Sequence, residues 1–333
     1  MIAQLDTEQI RLRPGRAAAR LLSHVLLQGR PLTTRARWLN HIILQQFSLI
    51  KRLPQLRLVH KPIFIIGTGR SGTTILGKLL SLHPEIVFLN EPKAIWYTVH
   101  FLDDLIGNYS RGEARYRLDE NMVSSQIIQV IHRLYGYCLF LTRSHRILDK
   151  YPEMIFRVPF LQAVFPDARF LFLVRNGWDT CRSIESWSRT KGIVDIQQEK
   201  QDWWGADRRK WHLLLRDVVA TNAALSPYYD DITAFTHQED MAAVEWIVTM
   251  QEGIKLVESR PQQVRQIHYE QLLQEPKYIL AEILAFCDLA EDDKLFRYAQ
   301  RTLKQRPAKP AFELHATIKE TFLETMATLG YAP

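Results

Sequence analysis

Short apolar runs alternate along this chain with longer stretches in which apolar residues recur at helical spacing, which is the pattern of an α/β protein. Strands are expected at 62–66, 86–89, 146–149, 169–174 and 264–268. Runs such as "RFLFLV" are apolar almost throughout, so these strands are buried on both faces, as in a parallel sheet covered by helices. Helices are expected at 72–82, 122–135, 157–165, 178–188, 208–224, 242–258, 277–286, 292–303 and 312–329. "HPE", "FPDAR" and "RPQQVR" punctuate the turns between them. No Gly/Ser/Pro-rich linker divides residues 62–333, so they read as one domain.

Charge separates the first 61 residues from the rest. They hold eleven Lys/Arg against two acids, whereas the remainder holds 32 against 34. Residues 1–61 therefore read as a basic helical arm. Within it, "ARWLNHIILQQFSLIKRL" (36–53) mixes aromatic, aliphatic and basic residues at helical spacing. Such a helix either packs on the body or lies on a membrane surface, and packing is the plainer reading. The arm's charges are not interleaved with aromatics, so nucleic acid is not an expected partner. No apolar run is long enough for a transmembrane helix, and the start lacks the order of a signal peptide. With three scattered cysteines, Cys138, Cys181 and Cys287, the chain suits a reducing compartment. The expected location is the cytoplasm, with peripheral membrane contact through the arm as the alternative.

The chemistry begins at "PIFIIGTGRSGTTILGKLL" (62–80), a strand, a glycine-rich turn and a helix start. Glycines permit a tight bend and close approach to an anion, and the helix start supplies amides and positive potential. A P-loop-like three-layer fold is expected, with a central, mainly parallel five-stranded sheet flanked by helices. A nucleotide kinase would need lysine after Gly72, but Thr73 and Thr74 follow it, and Lys78 is too far into the helix. Arg70 stands inside the turn instead. A second anion site is written in "LVRNGWDTCRS": Arg175 ends a buried strand, facing the crevice where α/β sheets bind ligands, and Ser183 follows eight residues later.

These two segments, in this order, resemble the cofactor-binding segments of sulfotransferases that use 3′-phosphoadenosine 5′-phosphosulfate. "IHYEQLLQEPKYILAEILAFCDL" and the closing "ETMATLGY" are similar to later stretches of the same family. The resemblance covers most of residues 62–333, and its style is closest to the tyrosylprotein and bacterial branch. It implies that Gly69, Arg70, Ser71, Gly72, Thr73 and Thr74 bind the 5′-phosphosulfate. Arg175 and Ser183 would bind the 3′-phosphate, and Tyr269 would lie beside the adenine. Cytosolic members carry a tryptophan shortly after the loop, where this chain has Ile75. In the tyrosylprotein branch a glutamate just after the second strand acts as base, and Glu91 in "HPEIVFLNEP" matches it. Cytosolic members have Lys-x-His before the 3′-phosphate motif; here "DKYPE" keeps Lys150 but no histidine. His83, in a His-Pro turn, reads as a turn residue.

The implied reaction is in-line transfer of a sulfuryl group to a hydroxyl or amine, with Glu91 as general base and Arg70 and Lys150 stabilising the transferred group. The product would be adenosine 3′,5′-bisphosphate, and no metal is expected. The alternatives are a non-catalytic nucleotide-binding module and a P-loop nucleotide kinase. "DWWGADRRKWHLL", with Trp203, Trp204 and Trp211, reads equally as an acceptor wall or as core. The segment 94–116, with Trp96, Tyr97 and His100, is a second candidate wall. The acceptor class stays open among small molecules, carbohydrates, lipids and peptides, and so does the oligomeric state.

Overall fold

A computed structural model describes residues 2–30, 37–194, 200–305, 307 and 309–332. The N-terminal segment carries α1 (Thr7–Leu12), α2 (Pro14–Leu26) and α3 (Leu39–Ile50). Then come β1 (Ile63–Gly67), α4 (Thr73–Leu80), β2 (Ile86–Asn90), α5 (Lys93–Val99), α6 (Ser125–Thr142) and β3 (Arg146–Lys150). The middle of the chain holds α7 (Val158–Val164), β4 (Arg169–Val174) and α8 (Gly177–Lys191). It continues through the short strands β5 (Ile193–Val194), β6 (Lys200–Asp202) and β7 (Gly205–Ala206). After α9 (Arg209–Asp217), α10 (Tyr229–Thr233) and α11 (Gln238–Ser259), the last strand is β8 (Val264–His268). Four helices close the chain: α12 (Tyr269–Gln274), α13 (Pro276–Phe286), α14 (Asp293–Thr302) and α15 (Ala316–Thr328).

All five expected strands form, within a residue or so of their expected ends, and make one parallel sheet in the order β2-β3-β1-β4-β8. Their apolar continuity is explained by helices on both faces. One core lies on the α6, α7 and α11 side around Phe64, Phe170 and Phe172. The other gathers Ile63, Ile65 and Leu171 against α4, α13 and α14. The expected fold class is the observed one.

Several helices differ from expectation. The helix expected at 208–224 stops at Asp217; Asn222 then turns the chain, its side-chain oxygen accepting from the N–H groups of Ala224 and Leu225 (both 3.0 Å). Helices α1, α2, α5, α10 and α12 were not legible as separate elements. The helix expected at 36–53 runs over Leu39–Ile50, and Ala36 lies outside the described residues.

The second helix explains where part of the arm's charge goes. β2 is an edge strand, so one row of its carbonyls has no neighbouring strand. Helix α2 lies along it, and Arg16, Arg20 and Ser23 share a helix face at i, i+4, i+7. Arg16 Nη1 donates to the carbonyls of Pro84 (2.8 Å) and Ile86 (3.2 Å), and Nη2 to that of Thr142 (2.7 Å). Arg20 Nη1 and Ser23 Oγ donate to the carbonyl of Phe88 (3.3 and 3.2 Å). Buried carbonyls need such partners, and here arginines supply them.

Candidate active site

The carboxyl ends of β2, β3, β1 and β4 open on one crevice, the position at which parallel α/β sheets bind ligands. The turn from β1 to α4 lines its floor. Gly72 caps α4 with φ +93°, a left-handed conformation, and the ring of Tyr269 rests so close that a Cβ there would lie 2.3 Å from it. Gly69 is pinned in the same way beneath the indole of Trp203, 2.3 Å from a notional Cβ. The first N–H groups of a helix lack intrahelical partners, and the first turn of α4 carries no acid to neutralise them. Ser71 Oγ and Thr68 Oγ1 are buried there without a hydrogen-bond partner among the described residues. A loop of bent backbone, open amides and unsatisfied hydroxyls fits a phosphate group. Lys78, by contrast, points elsewhere and pairs with Asp6 at 2.7 Å.

Arg70, Arg175, Ser183 and Tyr269 meet in one branch of this crevice. Arg70 Nε donates to Ser183 Oγ (3.2 Å), and Arg175 Nη1 donates to the carbonyl of Arg70 (3.0 Å). The Arg175 guanidinium lies over the Tyr269 ring, 4.9 Å from its centroid, and its Nε is buried without a partner. Tyr269 opens helix α12 directly after β8. Asp179 faces Arg175 at 3.4 Å and also accepts from the Lys309 N–H at 2.8 Å. Lys304 and Lys309 line the same branch, two cations that nothing in the sequence pattern marks.

Glu91 follows β2 with φ +53°, and its N–H continues the β2–β3 ladder to the Lys150 carbonyl (2.7 Å). That kink turns the carboxylate back over the end of the sheet. Lys150 Nζ hydrogen-bonds Glu91 Oε1, and Lys93 Nζ stands 3.3 Å from Oε2. The Lys150 side chain is 3% exposed and that of Glu91 37%. Burial alone would raise the Glu91 pKa, but the two ammonium groups outweigh it and hold the carboxyl well below its usual range. Lys93, the first residue of α5, was missed; nothing in its spacing marks it apart from an ordinary helix-start residue.

Arg70, Glu91, Lys150 and Trp203 line a common cavity of about 160 Å³. The tryptophan-rich stretch divides there. Trp204 and Trp211 are buried in the core and pack edge to face, whereas Trp203 lines the cavity and meets Trp187 edge to face at 5.5 Å. Lys210 lies deeper in the same wall, 2.6 Å from Glu245 and 3.3 Å from Glu153, with its ammonium 4.4 Å from the Trp203 ring centroid. Of the segment 94–116, Trp96 is buried and donates to Asp149 (2.8 Å), and Tyr97 stacks on Tyr109. His83 Nε2 bonds the Ala290 carbonyl at 3.1 Å, away from the crevice. Among the described residues no group of His, Cys, Asp or Glu is arranged to hold a metal ion, and no helix is long and apolar enough to cross a membrane.

Residues 62–293 match the model of a family described as the sulfotransferase family. Protein-tyrosine sulfotransferase A of Caenorhabditis elegans is 24% identical over 245 residues, covering 72% of this chain and 52% of its own length. The protein-tyrosine sulfotransferase of Drosophila melanogaster is 26% identical over 225 residues, covering 64% of this chain and 41% of its own. This chain thus spans about half the length of these curated relatives, or less. A solved sulfotransferase domain from the curacin biosynthetic pathway shares the fold, with a TM-score of 0.50 at 15% identity over 83% of this chain and 100% of that one.

Proposed function

The chain belongs to the sulfotransferase family, and we propose that it moves a sulfuryl group from 3′-phosphoadenosine 5′-phosphosulfate to a hydroxyl or amine acceptor, with Glu91 as the base. The observation that carries this reading is the convergence of a phosphate-fitting loop, Arg70, Lys150 and Glu91 on one cavity. When bound, the donor supplies the sulfuryl group: its sulfur–oxygen bond to the phosphate breaks, the electron pair leaving on the phosphate, as the acceptor oxygen or nitrogen bonds to sulfur.

The chain's own groups then take these roles. The amides and hydroxyls of Gly69–Thr74 bind the 5′ phosphate, and the unsatisfied Ser71 and Thr68 hydroxyls support that assignment. Arg175 and Ser183 bind the 3′-phosphate, using the free Arg175 Nε and the nearby Lys304 and Lys309, with Tyr269 beside the adenine. Arg70 and Lys150 are fixed cations for the charge that grows on the departing phosphate. Glu91 takes the acceptor's proton on its carboxylate. Held so far below its usual range it is a weak base, so it must first lose part of its counter-charge. Lys150 Nζ turning from Glu91 to an anionic oxygen would do this, and proton affinity would rise at the carboxylate just as the acceptor needs it.

Calorimetry tests the donor. Adenosine 3′,5′-bisphosphate is expected to bind without added metal, and preference for ATP with Mg²⁺ would overturn the assignment in favour of a kinase. Arg175→Ala should weaken bisphosphate binding by roughly tenfold or more, the usual weight of a charge-assisted contact.

A further inference from the structure

Beside Glu91 the crevice opens into another cavity, of about 550 Å³, one wall of which is the N-terminal segment. Arg20 and His24 from α2, and Arg30 just after it, face this space together with Arg70, Lys93 and Lys191. Glu91 is the one carboxylate among the described lining residues, and it is already claimed by Lys150 and Lys93. Among the described residues the positive charge of this cavity is therefore largely unanswered.

Arg20 is the most telling member. It is 5% exposed and has no ion-pair partner among the described residues. Nη1 is used on the Phe88 carbonyl and Ser23, while Nη2 is buried with no partner among the described residues. A buried guanidinium nitrogen left unsatisfied is costly unless something else fills its place. Among the described residues the Arg30 side chain donates only to carbonyls, those of His24 (2.9 Å) and Gln28 (3.3 Å). His24 lies between them; burial, then the charges of Arg30 and Arg20, push its pKa down to about 4, so it stays neutral near pH 7. The position of this wall is fixed, because α2 is tied by side chains along β2. With its amide oxygen turned inward, Gln28 accepts from Arg20 Nη1 (2.6 Å) and from the N–H of Asn90 (2.9 Å), next to Glu91.

We infer that the acceptor carries an oxyanion — a phosphate, sulfate or carboxylate — that Arg20 and Arg30 of the N-terminal segment hold while the acceptor's hydroxyl reaches Glu91. This rests on the transfer reading above, and it makes the basic arm part of the acceptor site.

The test is calorimetry on the full chain saturated with adenosine 3′,5′-bisphosphate, titrated separately with inorganic sulfate, phosphate and acetate. At least one probe should bind, and which one binds best names the anion. Arg20→Gln and Arg30→Gln should each weaken that binding roughly tenfold, with bisphosphate affinity unchanged. Should Arg20→Gln fail to fold, Arg30→Gln decides the matter alone. Normal bisphosphate binding with no oxyanion bound, or with equal oxyanion affinity in wild type and variants, overturns the inference and leaves the donor reading standing. Failure to bind the bisphosphate overturns the donor reading and the inference with it.

Discussion

Two buried lysines, Lys150 and Lys210, line the same cavity, each paired with a glutamate, and the surroundings of the pairs differ. Lys210 and Glu245 are sealed, at 2% and 4% exposed. Each is also held from other sides: Lys210 by Glu153 and the Trp203 ring, Glu245 by the Trp203 indole N–H (2.6 Å). Lys150 is equally buried, but its partner Glu91 stands a third exposed at the mouth of the crevice. The sealed pair fixes Trp203, and Trp203 pins Gly69 of the glycine-rich loop, so its task is to hold geometry. The open pair has room to change partners, which is what proton transfer requires. On the proposed mechanism, similar chemistry serves as scaffold in one place and as reactant in the other, and solvent access separates the two.

Removing one member of each pair is the strongest way to break this contrast. Lys210→Met leaves Glu245 and Glu153 as buried charges without their cation, and should cost about 3–5 kcal/mol in denaturant unfolding. A loss no larger than that of a surface pair would mean the cluster is not structural. Next in size, Glu91→Gln should lower turnover by about 10²–10⁴-fold at a smaller stability loss than Lys210→Met, since Glu91 is a third exposed and the amide oxygen can still accept from Lys150. Wild-type turnover in that variant would remove Glu91 as base.

The smallest effect is in the pH dependence, and it separates the pairs by sign. Glu91 is held below its unfolded value of about 4.3, so its stabilisation is complete above that pH and drains away as pH falls further. Burial alone would lower Lys210, but Glu245 and Glu153 outweigh it and raise it. Its contribution is complete below the unfolded value of about 10.4 and is lost as pH rises through the folded one. Stability profiles should therefore flatten on the acid limb in Glu91→Gln and on the alkaline limb in Lys210→Met. Identical limbs in variant and wild type would erase the distinction.

The sheet was legible because its strands are unbroken apolar runs between clear turn signals, and the phosphate loop because glycine spacing follows from backbone geometry. Arg175 was marked by its place at a strand end, Glu91 by its strand end together with the family resemblance, and Lys150 by the resemblance alone. Lys93 and Lys210 were not, since a lysine at a helix start looks the same in sequence whether it faces water or a buried carboxylate. The three tryptophans could not be told apart for a related reason. The turn between β6 and β7, followed by left-handed Asp207 and Arg208, sends Trp203 toward the cavity and Trp204 into the core. The arginines of α2 were equally silent, because their partners are carbonyls about 70 residues away.

That last arrangement bears on how the protein is divided into transferable parts. Family likeness begins at residue 62, which invites the conclusion that a working module starts there. A chain cut at that point would keep every strand yet present β2 with its outer carbonyls bare, and a bare edge recruits a strand from any neighbour. Such a fragment should be lost to polymerisation through β2 before its chemistry could be measured. Recognisable ancestry begins at residue 62, whereas the helix that covers β2 begins at Pro14, about fifty residues earlier.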